Sequence, residues 1–326
     1  MKLASRHWLV WASSLVLCAG VVGIAVHFSD AQDFVRFARQ AHPLWLLMAV
    51  VWQTATYGAQ AEIWRLVARA AGSRLSFADG CRISLAKQFV DQALPSAGVS
   101  GTVFTAGALG ARGLTRNAAW TAVAVNLVSY NIVYVAGLAV ALGLGRLHGR
   151  GSAVIVGVSI VFTLLSAGLT ALMFSLPGRA SHPISRRLAR VPMIHGILKH
   201  LENANRRLVR DPRLMTAAVL WQAAIVALDT LTLVALIESL GERAELAGAF
   251  VSFMIASLVR SMGLVPGGLG TFEASAVVTL HMTGTRLSVA LAATLMFRGL
   301  TFWLPMAPGL WYARRFAPAV KIQGDS

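Results

Sequence analysis

Val265-Pro266-Gly267-Gly268-Leu269-Gly270-Thr271-Phe272-Glu273 lies near the middle of an otherwise apolar region, 246–283. Proline lacks an amide hydrogen and glycine weakens helix, so no unbroken helix is expected through this stretch. A second apolar region, 77–111, is interrupted in the same way at Leu94-Pro95-Ser96-Ala97-Gly98. In hydrocarbon, broken backbone leaves N–H and C=O groups unpaired, which is tolerated only where protein or a water-filled cavity covers them. Two such breaks in one chain therefore predict an interior site.

The surroundings are those of a membrane protein. Of 326 residues, 56% are hydrophobic and 13% charged, about half the charged fraction usual in soluble domains. A crossing helix needs about 20 apolar residues. Six stretches qualify as full spans: 8–28, 44–67, 118–144, 152–176, 214–240 and 287–312. The expected fold is all-α, a polytopic helix bundle with these six spans and two Pro/Gly-broken hairpins. The net charge of +16 does not imply nucleic acid, because the basic residues stand between apolar runs. Lys2 and Arg6 precede the first span, which is too long for a cleaved signal sequence. Arg65, Arg69, Arg74 and Arg82 follow the second span, Arg112 and Arg116 precede the third, and 177–213 is rich in arginine, whereas 241–245 is net acidic. The positive-inside rule then places both termini in the cytoplasm. By parity the two broken regions enter from opposite faces.

An internal repeat supports that parity. Trp52-Gln53 recurs as Trp221-Gln222, Gly72 as Gly241, and Gly101-Thr102 as Gly270-Thr271, each 169 positions on. Pro95 pairs with Pro266 and Arg116 with Arg286 at nearly the same spacing. One membrane domain is expected, with a first repeat over 44–144, a connecting span and basic loop over 145–213, and an inverted second repeat over 214–316. Inverted repeats with paired broken segments point to a midplane site in transporters. Half-helices starting near Gly101 and Gly270 would aim their N-terminal amides inward and favour an anion there.

The 265–273 motif, followed by an Ala-rich helix with Arg298 and by Trp303-Leu304-Pro305, resembles the flippase-like membrane domain family. That domain is the transmembrane region of lysylphosphatidylglycerol synthase, also called the multiple peptide resistance factor. The stretch from Gln88 to Gly101 is similar to the family's first broken segment, although only isolated glycines of its Pro-x-x-x-Gly-Gly pattern remain. The resemblance covers nearly everything from Leu44 onward. It implies movement of a polar-headed lipid between leaflets of a bacterial cytoplasmic membrane. With the last span close to Ser326, the additional cytosolic domain that attaches the amino acid is not expected, nor is its synthase activity.

Several residues carry candidate chemistry. Arg298 lies about halfway along the last span, where an unpaired charge is costly, so either a lipid phosphate or a carboxylate such as Glu273 or Asp229 must face it. Arg260 and Lys87 precede the two breaks at similar distances and read as phosphate contacts or as interfacial anchors. Glu273 reads as a helix cap, an ion-pair partner or a contact for an amine-bearing headgroup. The substrate-binding set expected at the breaks is Arg298, Arg260, Glu273, Lys87, Gly267, Gly268, Gly270, Thr271, Pro95, Gly98, Gly101 and Thr102. Glu62, Asp91 and Asp229 are further intramembrane candidates, and Gln53 and Gln222 are expected to hydrogen-bond between helices. The 177–213 loop has helical apolar spacing split at Pro192 and reads as a surface segment on anionic lipid. Two cysteines, Cys18 and Cys81, have no partner spacing, and histidines are scattered. No catalytic, metal or phosphate-loop motif stands out, so no cofactor and no enzymatic reaction are expected. Expected partners are membrane phospholipid or a lipid-linked substrate, a second copy, or enzymes of a lipid pathway. The competing reading is a non-catalytic subunit or a membrane enzyme of such a pathway.

Overall fold

The computed structural model describes residues 41–93, 99–147, 204–261 and 266–324. The expected spans at 8–28 and 152–176, the break containing Pro95 and Gly98, and the basic loop as far as residue 203 lie outside the described residues. Among those described there is helix and connection but no strand. In chain order the helices are α1 (Pro43–Ala70), α2 (Phe77–Ala93), α3 (Val99–Gly110), α4 (Arg116–Leu147), α5 (Arg206–Val209), α6 (Pro212–Ser239), α7 (Leu246–Ser261), α8 (Thr271–Met282), α9 (Leu287–Arg298) and α10 (Leu304–Gly324). A 3-10 turn, Pro266–Gly268, precedes α8, and a π turn, Gly299–Trp303, joins α9 to α10.

Among the described residues, three stretches are long and apolar enough to cross a membrane: Arg116–Leu144, Pro212–Ser239 and Leu287–Phe316. The helix at the expected span 44–67 is as long as α6, 28 residues each, yet falls short of that apolarity. Gln53, Thr54, Thr56, Gln60, Glu62 and Arg65 interrupt its apolar surface, and several of them are turned inward. Gln53 and Thr56 are buried, and the Gln60 amide donates to Asn126 Oδ1 of α4 at 2.8 Å.

α1 and α6 match closely. Both open on a proline, where a missing N–H is harmless, and both are followed by a left-handed glycine, Gly72 (φ 75°) and Gly241 (φ 77°). They pack along one another. The backbone N–H of His42, before α1, donates to Ser239 O at the end of α6 (2.8 Å), so the two helices run antiparallel. Each broken region is a helix pair in contact, α2 with α3 and α7 with α8. The first helix of each pair also packs across the molecule, α2 against α10 and α7 against α4. Gly309 permits the first of these crossings, since a Cβ there would come within 2.7 Å of Leu85 O and Phe89 Cβ. Two buried apolar clusters result, one mainly within α1 to α4 and the other mainly within α6 to α9.

The span expected as one helix over 287–312 contains the π turn. Thr301 O would ordinarily accept from the residue four positions on, which is Pro305 and has no N–H. The side-chain amides of Gln88 and Gln92 on α2 donate to that oxygen instead, each at 3.3 Å.

Candidate functional site

The second break is built by three left-handed glycines, Gly267 (φ 63°), Gly268 (φ 67°) and Gly270 (φ 80°), a backbone that side-chain-bearing residues rarely adopt. Space enforces the choice as well. A Cβ on Gly267 would lie 2.6 Å from the Phe302 ring, and one on Gly268 would lie 2.3 Å from Arg260 Cγ. α8 starts immediately after, and the amide just ahead of it is answered from within. The Gly270 N–H donates to Glu273 Oε2 at 2.7 Å, and Thr271 Oγ1 donates to Gly268 O at 3.1 Å. The expected anion at this helix start is thus the protein's own Glu273.

Arg298 occupies the other side of Glu273. Its Nε donates to Glu273 Oε1 at 2.6 Å and an Nη donates to Gly267 O at 3.0 Å. The guanidinium lies over the rings of Phe302 (4.6 Å) and Phe272 (5.3 Å). Both members of the pair are buried, Arg298 at 3% and Glu273 at 6% exposure. Of the alternatives open at the sequence, the carboxylate partner is the one seen, and Arg298 also ties α9 to the break.

Lys87 is likewise matched, its Nζ donating to Asp91 Oδ2 at 2.6 Å one turn along α2. Asp91 lies against Gly101, where a Cβ would fall 1.9 Å from its Oδ1. α3 begins at Val99, so Gly101 and buried Thr102 sit within its first turn rather than ahead of it. Glu62 pairs with Arg65 and, at 3.8 Å, with Arg69, at the end of α1 away from the breaks.

Arg260 differs from these. It makes no close ion pair among the described residues, but it is in electrostatic reach of Asp229 on α6, Arg298 on α9, and Tyr130 and Tyr134 on α4. Asp229 also has no close ion-pair partner there. Its polar neighbours include Gln53 and Tyr57 on α1. Tyr130 faces Lys87 as well, and it stacks on Tyr134 at 5.1 Å. The structure thus brings Arg260, Asp229, Lys87, Gln53 and three tyrosines to the meeting place of α1, α2, α4, α6 and α7. The tyrosines were missed in the sequence, where the i, i+4 spacing of Tyr130 and Tyr134 was the available sign. The Gln53 amide donates to Thr56 Oγ1 of the same helix at 3.3 Å, and its Oε1, like that of Gln222, has no hydrogen-bond partner.

The break touches this centre, since the Pro266–Gly268 turn contacts both α2 and α7. No group of acidic, histidine or cysteine side chains able to hold a metal occurs among the described residues. In comparison with known proteins, residues 10–309 match the family model described as "Lysylphosphatidylglycerol synthase TM region". No curated protein matches the chain.

Proposed function

From the premise that this chain belongs to the family of the lysylphosphatidylglycerol synthase transmembrane region, a family of membrane proteins of lipid metabolism or transport, we propose that it is a translocator of a polar-headed, anionic lipid or lipid-linked precursor between leaflets. The observation that carries this reading is Arg260, a partly buried cation with no close counter-ion among the described residues, set beside the second break and facing several polar side chains. A guanidinium so placed binds a phosphate in a fork geometry. Lys87, paired with Asp91, stands across the same centre, while Arg298, engaged by Glu273 and Gly267 O, holds the break in shape.

The matched lengths of α1 and α6, their antiparallel packing and the exchanged contacts of α2 and α7 support an inverted repeat. In this reading the two helix pairs are re-entrant from opposite faces of a bacterial cytoplasmic membrane, with both chain termini in the cytoplasm. The headgroup passes through the polar centre while the acyl tails stay in lipid, and no bond is made or broken.

Proteoliposomes with fluorescent acyl-labelled phosphatidylglycerol test the proposal. Wild type should exchange the label between leaflets faster than protein-free liposomes, and Arg260→Ala should slow that exchange by about tenfold, the loss of one charge-assisted contact. Exchange indistinguishable from empty liposomes across several lipid classes would refute translocation. Unchanged exchange in Arg260→Ala would remove the residue assignment alone.

A further inference from the structure

The polar centre has more acceptor than donor capacity in one place. Gln53 is 7% exposed, and its amide nitrogen is turned to Thr56 while its Oε1 meets no donor. One turn along α1, the Tyr57 hydroxyl is buried and also lacks a close partner. Asp229, across the α1–α6 seam, brings a carboxylate that no close cation neutralises among the described residues. Buried polar atoms are almost always satisfied, so two neighbouring atoms left in this state beside a carboxylate mark a place for something that donates. The lone phosphate that suits Arg260 does not suit them, because a phosphate adds acceptors where acceptors are already in surplus.

We propose that Gln53, Tyr57 and Asp229 seat a hydrogen-bond donor of the lipid headgroup, an ammonium or a hydroxyl, while its phosphate faces Arg260. The assignment deepens the translocator reading and rests on it for the claim that a lipid enters at all. It makes a chemical distinction that charge alone does not. Phosphatidylethanolamine and phosphatidylcholine both carry a phosphate and a cation, but only the first has N–H donors. Phosphatidylglycerol has hydroxyl donors, and phosphatidic acid has no group beyond its phosphate. A site built to hydrogen-bond rejects the analogue that leaves its buried groups unpaired.

The same position in the other half of the repeat is already filled. Gln60 stands 169 positions before Asp229, and it donates to Asn126 Oδ1 at 2.8 Å. One of two matched places thus carries a satisfied neutral pair, and the other a carboxylate with no close ion pair among the described residues. The donor seat belongs to the second.

The test is binding of these four lipids, matched in acyl chains, to the full-length protein in detergent by native mass spectrometry. Phosphatidylethanolamine or phosphatidylglycerol, or both, should bind about tenfold tighter than phosphatidylcholine and phosphatidic acid, the equivalent of one well-made hydrogen bond. Preference for the first alone assigns an ammonium, and preference for the second alone a hydroxyl. Gln53→Leu and Tyr57→Phe should each reduce that preference without weakening phosphatidylcholine, with folding followed by thermal melting of each variant. Equal binding of all four, binding of none, or a preference that survives in the double variant overturns the seat. So does stabilisation by sodium chloride over choline chloride, without lipid, that Gln53→Leu abolishes, since the ligand is then a free cation. Selective binding with no leaflet exchange in proteoliposomes refutes translocation and leaves the seat standing.

Discussion

Arg298 and Glu273 show how one contact redistributes roles among charges that look alike in the sequence. A buried pair is weak evidence for net stability, but removing one partner strands the other at a cost of about 3–5 kcal/mol. Arg298→Ala should therefore lower the melting temperature of the purified protein sharply, through the abandoned Glu273 carboxylate and the lost hold on Gly267 O. The Arg298→Met, Glu273→Gln double variant, which leaves no bare charge and keeps a side chain to cap Gly270, should melt closer to wild type. A double variant as unstable as Arg298→Ala would show that the charge imbalance is not the cause. That Arg298 needs a partner is legible from its place in an apolar span. Which partner is not, because Glu273 lies 25 positions away and is brought near only by the turn at the break. The same limit applies to position 91, which corresponds to 260 at the repeat spacing of 169. Asp91 lies against Gly101 and Arg260 against Gly268, so one half presents an acid at its break and the other a base.

The elements most readable in advance are those set by local chemistry. α1 and α6 begin at prolines and stop at glycines, and the second break falls where proline and glycine cluster. The π turn is different, because its reason is spread over two distant segments. Pro305 removes the donor for Thr301 O, and Gln88 and Gln92 from α2 supply two in its place. This contact holds the last helix to the first broken one. Leaving the carbonyl unanswered would cost about 1–3 kcal/mol. A Gln88→Leu, Gln92→Leu variant should thus lose stability in the wild-type background. In a Pro305→Ala background the restored N–H can reach Thr301 O, and the same pair of substitutions should matter less. Thermal melts of the four proteins measure the coupling. Strictly additive losses would mean that the glutamines stabilise something other than this oxygen.

At the scale of the whole molecule, helix polarity sets two opposite edges, and charge is the guide to which of them faces the cytoplasm. The start of α1 abuts the end of α6, so the end of α1 lies with the start of α6, about 42 Å away at the usual rise of 1.5 Å over 28 residues. That exceeds the roughly 30 Å of bilayer hydrocarbon, so the edge near Ser73 and the edge near Glu242 fall on opposite faces if these helices cross. The first edge gathers Arg69, Arg74, Arg112 and Arg213. The second holds Glu242, whose carboxylate accepts from Arg286 Nε at 2.7 Å and from the Arg286 backbone N–H at 2.9 Å. By the positive-inside rule the first is expected to be the cytoplasmic one. Single cysteines at Ser73 and Thr285, in a chain with Cys18 and Cys81 replaced by alanine, should then react with an impermeant maleimide from opposite sides of the membrane. Ser73→Cys should label only in inside-out vesicles and Thr285→Cys only in spheroplasts. Labelling of both from one side would break the inverted arrangement and, with it, the reason for expecting a headgroup to meet Arg260 from either leaflet. Opposite labelling in the reverse sense would keep the inversion and turn the protein over in the membrane, placing the arginine-rich edge outside against the rule that charge alone supports.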